Sequence, residues 1–486
     1  MNCIRLITLL WSLTLHAQTW ADTSVSFIHL NDIYEIQPVE GGKYGGLARV
    51  ATEVDRLRKT MAPAIVTLGG DYLSPSALGT AKVDGNALAG RQMVDVLNLV
   101  GIDWATFGNH EFDVPEVAFR HHLELVKYRL LSSNVVDAEG KPFPGVATSA
   151  IAKVKTGKQT LRIGLIGVTL NATAARWVGF RDAIAAAGEK VAEMRGRVDA
   201  VVALTHLTLA QDGEFLAALP EIDLVLGGHE HENWLMRRGP RLVPIVKADA
   251  NARSLAVATL HFAGPGKRPS VDVRLVPIDA SIREKPAVAA RVVHWTELAF
   301  AGFRQEGFEP DKVVANIKEP LDGRESVVRN RAGRLTDLIV SAMAREAAPA
   351  DVALFSGGSV RIDDVLPAGP LSEYDIIRVL PFGGRIVAAT LEGALLGRVL
   401  EMGENNQGLG GYLHSWGTER RSDGWHISGK LLDPAARYRV ALTDFLLTGG
   451  EVNMGFLTRD NPQVQDVREL RDIRRVLIDE LKATYR

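Results

Sequence analysis

The sequence predicts a two-domain α/β protein, and three observations carry that expectation. Short β-rich apolar runs alternate with amphipathic helical segments from Ser24 to about Gly264. One long amphipathic stretch, Pro286 to Gln305, opens on a helix-compatible proline and is closed by Gly307 and Pro310. Beyond Val313 strand and helix patterns resume. The length of 486 residues agrees, because one hydrophobic core stops growing well before that size.

In chain order, the first segment has Arg5 as its only charge, an apolar run from Leu6 to Leu15, and the exit Thr19-Trp20-Ala21. That is the pattern of a secretory signal over residues 1–21, with cleavage after Ala21 or Ala17. A run of about ten residues is too short to cross a bilayer, which takes about 20. No later run is long enough either, so the expectation is an exported, soluble protein. The only cysteine, Cys3, lies inside this segment, so the mature chain has no thiol for a disulfide or a metal. A short signal without disulfides fits a bacterial periplasm.

Six candidate strands come next: Val25 to Leu30, Ala64 to Leu68, Trp104 to Phe107, Ile163 to Val168, Ala200 to Leu204 and Ile222 to Leu226. Leu47 to Lys59 and Ala87 to Leu99 carry apolar residues at helical spacing, and Asp182 to Arg197 is Ala-rich with charges on one side. The boundary is placed at the long helix, giving a domain over 22–285, a linker helix over 286–312 and a domain over 313–486. The latter has a helix at Leu335 to Ala347 and strands at Val352 to Phe355 and Tyr438 to Thr443.

With 46% hydrophobic and 23% charged residues the chain is expected to bury ordinary globular cores. Its 56 Lys+Arg against 58 Asp+Glu leave no positive field for a nucleic-acid polymer. The informative pattern lies at the ends of the apolar runs, which deliver in turn Asp32, Asp71, Asn109 with His110, His206 and His229. In an open α/β sheet ligands bind beyond the carboxyl ends of strands, so five strands would deliver polar groups to one edge. Any one of these alone is as easily a loop or capping residue, but five in register point to a metal. Asp, Asn and His suit Zn²⁺, Mn²⁺, Fe or Mg²⁺, and adjacent glycines allow sharp turns.

Asn31-Asp32, Gly69-Gly70-Asp71, Gly108-Asn109-His110-Glu111-Phe112-Asp113, His206 and Gly228-His229-Glu230-His231 resemble the calcineurin-like metallophosphatase signature. With Ser356-Gly357-Gly358-Ser359-Val360-Arg361, Leu380-Pro381-Phe382-Gly383-Gly384 and Phe445 to Glu451, nearly the whole mature chain resembles the secreted 5'-nucleotidase family. The resemblance implies a four-layer α/β/β/α domain holding two divalent metal ions, joined by a helix to a nucleotide-binding domain that can rotate. It implies that Asp71 bridges both metals, that Asp32 and His231 complete one site, and that Asn109, His206 and His229 complete the other. His110 would be the catalytic histidine, its ring held by Asp113. Arg361 would clamp the phosphate, with Arg329 or Arg331 as a second positive fork. Tyr412 and Phe445 would sandwich the base.

The chain departs from the family in four places. Asp32-Ile33-Tyr34 replaces Asp-x-His, putting a phenol where an imidazole is expected. Three readings stand open: Tyr34 ligates as phenolate, Glu35 substitutes, or the site binds its metal weakly; alternatively Tyr34 packs beneath the site on the strand bearing Asp32. Glu451, Ser356 and Arg334 stand where the family has Asp, Asn and Asn, which bears on nucleotide specificity more than on hydrolysis. The expectation is a secreted, metal-dependent hydrolase releasing phosphate from nucleotides. The alternatives are cyclic nucleotides, nucleotide sugars or sulfur esters as substrates, or a non-catalytic nucleotide-binding protein.

Overall fold

The computed structural model describes residues 23–485 apart from positions 62, 158 and 174, so the expected signal over 1–21 lies outside the described residues. The N-terminal portion holds two sheets. One has seven strands in the order Val146–Ala147, Arg129–Leu131, Trp104–Ala105, Ala64–Leu68, Ser24–Leu30, Ser254–His261, Ser270–Pro277. The other has six, in the order Ala150–Thr156, Gln159–Thr169, Ala200–His206, Leu224–Gly227, Val243–Lys247, Trp234–Arg238.

The sheets pack face to face because strands apolar on both sides must be covered twice. Phe27, Ile65, Leu131, Ile163, Val202, Leu224 and Val246 fill the space between them. The outer face of the six-stranded sheet buries Ile166, Ala203 and Val225 against Val191 and Phe215 of the helices Ala183–Met194 and Leu209–Ala218. The outer face of the seven-stranded sheet is covered by Leu47–Thr60, Arg91–Val100 and the long helix Pro286–Gln305. These layers make an α/β/β/α sandwich, and the fold is two-domain α/β.

The long helix has the bounds its pattern predicts. It is fastened by Trp295 Nε1 donating to Asp95 at 2.8 Å, and by Gly302, where any Cβ would strike the Lys82 carbonyl. The C-terminal portion centres on a five-stranded sheet, in the order Leu413–Trp416, Val352–Ser356, Arg437–Thr443, Arg385–Glu392, Val464–Asp472. Phe300 and Phe303 of the long helix stack on Tyr374, joining the two portions through one apolar core.

Two expectations are corrected here. The helix placed from Ala87 begins at Arg91, because Asn86–Ala87 pairs with Lys82–Val83 and Gly90 takes a left-handed turn. The polar groups do not share the edge of one sheet. Asp32, Asp71 and Asn109 follow strands of the seven-stranded sheet, whereas His206 and His229 come from the six-stranded one, so the convergence is at one end of a sandwich.

Candidate metal centre

Three of the converging residues, Asp32, Asp71 and His229, hold positive φ (53°, 54° and 83°), a conformation that costs a non-glycine residue about 1–3 kcal/mol. The strands therefore end in tight turns that aim side chains back over the strand ends. Glycines make room for them. A Cβ on Gly108 would collide with the Asp71 carboxylate and the His206 ring, and one on Gly228 would reach His206 and Asp32.

Ligand atoms of Asp32, Asp71 and His206 lie within 4.8 Å of one another, all on buried residues. His206 Nδ1 donates to the Gly69 carbonyl at 2.8 Å, which aims Nε2 at Asp71 Oδ2, 3.2 Å away. His206 Nε2 and the Oδ1 of Asn109 are buried without a hydrogen-bond partner. Orphaned nitrogen and oxygen atoms beside two carboxylates are what a divalent cation satisfies, so the residues present fit the metal that the resemblance implies. The rings of His206 and His229 meet edge to face at 5.4 Å.

The electrostatics agree. Burial raises Asp32, opposed by His206 and His231. Burial also works against the charge of Asp71, but His206 and His110 hold it well below the usual carboxylate range. Burial would lower His206 as well, yet Asp71 and Asp32 push it up to about 9, so without a metal its Nε2 holds a proton toward Asp71 that a cation would displace. Burial and His206 bring His229 down to about 3, so its imidazole is neutral and ready to ligate.

Tyr34 does not pack beneath the site. The strand ends at Leu30, Asp32 turns the chain, and the Tyr34 hydroxyl lies 2.9 Å from His231 Nε2, 3.3 Å from Asp32 Oδ1 and 3.4 Å from Asp71 Oδ2. Burial and then Asp32 push its pKa well above the phenol value, so it is held neutral there. Glu35 does not substitute. It is buried against Arg378 Nε at 3.4 Å and the Tyr374 hydroxyl at 3.5 Å, where its negative charge offsets a guanidinium rather than a metal.

Two groups that sequence reasoning missed hold the loops. Glu111, fully buried, accepts the backbone N–H of Asp71 at 2.8 Å, Tyr72 at 2.7 Å, Leu73 at 3.1 Å and also that of Gly108; burial and Asp71 push it up to about 7. Its local signal is its place within the Gly108-to-Asp113 motif, on the short helix His110–Asp113. Lys247, at 0% exposure, donates to the carbonyls of Leu207 at 2.6 Å and Gly228 at 2.7 Å, and to Glu230, with Asp212 at 3.0 Å. It pins the residues next to His206 and His229.

His110 adjoins the centre. Its N–H donates to Asp71 Oδ1 at 2.8 Å and its Nδ1 lies 2.6 Å from Asp113 Oδ2. Both line a cavity of about 1100 Å³ between the two portions of the chain, with Arg361, Phe382 and Phe445 on the opposite wall. Phe382 and Phe445 are 56% and 46% exposed, so their faces are open to a ligand. Arg361 is half-buried with its Nε enclosed and unpartnered, and burial and then Arg329 pull its guanidinium down. Arg329 is tied to Glu325. Three expected binding residues, Arg329, Arg331 and Tyr412, are not in the lining. Arg331 is exposed on the turn after the helix Glu325–Val328, and Tyr412 stacks edge-on against His414 at 5.3 Å. Glu451 does line the cavity, but its oxygens are occupied by Ser356 Oγ and the Val452 N–H.

Comparison with known proteins matches two stretches of the chain to family models. Residues 25–233 match the family model of calcineurin-like phosphoesterases, and residues 313–458 that of the 5'-nucleotidase C-terminal domain. The chain is 27% identical to Protein UshA of Yersinia enterocolitica, covering 89% of each, and 26% identical to a 5'-nucleotidase of Vibrio cholerae, covering 90% of this chain and 88% of that one. Among solved structures, a 5'-nucleotidase precursor from Thermus thermophilus superposes with a TM-score of 0.76 at 21% identity, over 95% of this chain and 97% of that one. A sulfate thiohydrolase SoxB from Thermus thermophilus gives 0.70 at 18%, over 95% and 94%.

Proposed function

The chain belongs to the 5'-nucleotidase family, pairing a calcineurin-like phosphoesterase domain with a 5'-nucleotidase C-terminal domain, and from that premise we propose that it is an exported hydrolase releasing phosphate from nucleotides. It is a metallophosphoesterase, and the family implies divalent metal ions. Two is the number proposed, Zn, Mn or Fe. Asp71 would bridge them, Asp32 and His231 would hold one, with Tyr34 beside it, and Asn109, His206 and His229 would hold the other. When bound, such a pair acidifies a water and neutralises charge on the phosphate during in-line displacement.

The chain's own residues supply the rest. Asp113 accepts from His110 Nδ1–H and holds the ring, so that the Nε2 proton of the imidazolium form can be given to the leaving oxygen. Arg361, with an enclosed and unpartnered donor, suits a phosphate dianion, and Arg329 adds positive charge behind it. Phe445 and Phe382 offer faces for a base, which favours a nucleotide over a small ester. Export is supported by the charge and apolar pattern of residues 1–21, and no helix among the described residues is long and apolar enough to cross a membrane.

The observation that carries the reading is the placing of orphaned His206 and Asn109 atoms with two buried carboxylates, one of them bonded by the backbone of His110, which lines the cavity that also holds Arg361 and Phe445. The test is Asp71→Asn. Phosphate release from AMP is expected to vanish while AMP binding, followed by calorimetry, persists. Activity that survives this change removes Asp71 from the proposed bridge.

A further inference from the structure

His231 is the one proposed ligand whose outer nitrogen is held by the other domain. Its Nδ1 lies 3.0 Å from Asp363 Oδ2 and 3.6 Å from Glu325 Oε2, both contributed by the C-terminal portion. Its Nε2 faces inward, 2.9 Å from the Tyr34 hydroxyl and 3.7 Å from Asp32 Oδ1. Asp363 is itself over-determined. It is buried at 5% exposure, holds φ 39°, accepts the Glu325 N–H on Oδ1 at 2.9 Å, and receives Arg253 from the N-terminal portion on its carbonyl. Asp363 lies two residues past Arg361 in the same segment, and the next residue, Asp364, takes Arg378 at 2.7 Å.

We propose that Asp363 is a positioning residue for the metal centre, supplied across the domain boundary, so that metal occupancy and docking of the C-terminal domain are coupled. The inference rests on the reading of His231 as a ligand. A carboxylate accepting from Nδ1–H fixes the tautomer whose Nε2 carries the lone pair and orients the ring, which is how outer partners of ligating histidines act. Because Arg361 and Asp363 share one short segment, a phosphate that engages Arg361 also fixes the group behind His231. Linkage makes the effect reciprocal: whatever docked geometry adds to metal affinity, metal adds to docking.

The experiment is competition of the full chain against a chromophoric chelator with Mn²⁺ and separately Zn²⁺, without substrate. Wild type is expected to bind two equivalents. Asp363→Ala is expected to weaken one of them about 10–100-fold and leave the other within a factor of about three. Asp363→Asn keeps the volume but cannot accept from both His231 and Glu325, so it is expected to weaken the same equivalent and serves if the alanine variant does not fold. Tyr374→Phe, which removes a 3.5 Å interdomain hydrogen bond to Glu35 without touching His231, is expected to leave both equivalents unchanged. Equal affinity in wild type and both Asp363 variants overturns the proposal while the metal centre stands, as does equal weakening of both equivalents or the same weakening in Tyr374→Phe. Failure of wild type to bind a second equivalent overturns the ligand reading beneath it.

Discussion

Lys247 gives the clearest energetic test of how the centre is built. Its ammonium is fully buried, with two carbonyls, Glu230 and Asp212 around it. Lys247→Met keeps the stem but removes the donor to the Leu207 and Gly228 carbonyls and strands Asp212, itself at 0% exposure, whose remaining side-chain partner is Thr205 Oγ1 at 2.7 Å. Removing one member of a buried pair costs about 3–5 kcal/mol, because the other charge stays desolvated. Against a total stability of about 5–15 kcal/mol that is a large share. Urea unfolding of the chelator-treated protein should show the midpoint falling accordingly with an unchanged slope. Replacing both partners, Lys247→Met with Asp212→Leu, should recover at least about 2 kcal/mol, since an apolar pair leaves no stranded charge. Metal affinity should stay reduced by about tenfold or more in both, because the carbonyls beside His206 and His229 remain unheld. A loss under about 1 kcal/mol for the single variant, with metal affinity intact, would refute the reasoning.

Three further outcomes are expected. Tyr34→His replaces a phenol held neutral among Asp32, Asp71 and His231 by a ligand, and should tighten one metal equivalent in chelator competition; weaker binding would mark Tyr34 as adapted to its own metal. Phe445→Ala should raise the Kd for AMP about 5–150-fold, from a stacking loss of about 1–3 kcal/mol, while inorganic phosphate binds as before; unchanged AMP affinity would place the base elsewhere. Burial lowers His29 to about 4 from its ordinary 6.5, with the Gly227 carbonyl 2.9 Å away. The folded state thus resists protonation, so its contribution is full above about pH 6.5 and falls as pH drops toward 4, by about 3 kcal/mol. Unfolding of metal-free His29→Asn should depend less steeply on pH in that window than wild type, and equal slopes would remove His29 from the account.

How far the sequence foretells this molecule depends on whether a residue's partners are local. Asp32, Asp71, Asn109, His206 and His229 announce themselves because each ends an apolar run and several carry a glycine, a local feature of strand ends. The long helix is legible for the same reason, its proline, periodicity and terminating glycine all lying within one window. The pairing of two sheets is not, because strands such as Ser254–His261 and Ser270–Pro277 pair with partners far away or have half-exposed, charged faces. Lys247 reads as an ordinary strand-end lysine until Asp212 and Glu230 are brought round it. Arg329 and Arg331 look alike in sequence, and only the turn after Glu325–Val328 sends one toward Arg361 and the other to solvent. Tyr34 reads as a strand residue because Asp32's left-handed turn has no signature in an aspartate. The tie between His231 and Asp363 spans 132 residues and two domains, beyond any local pattern.

The central claim is that this chain releases phosphate from nucleotides with metal held at Asp32, Asp71, Asn109, His206, His229 and His231. Its most direct test is phosphate release from AMP by chelator-stripped protein reloaded separately with Mn²⁺, Zn²⁺ and Fe²⁺. Release that is lost on stripping and restored by at least one of these metals is the predicted result. No release with any metal, while AMP still binds, would contradict it and leave a nucleotide-binding protein without this activity.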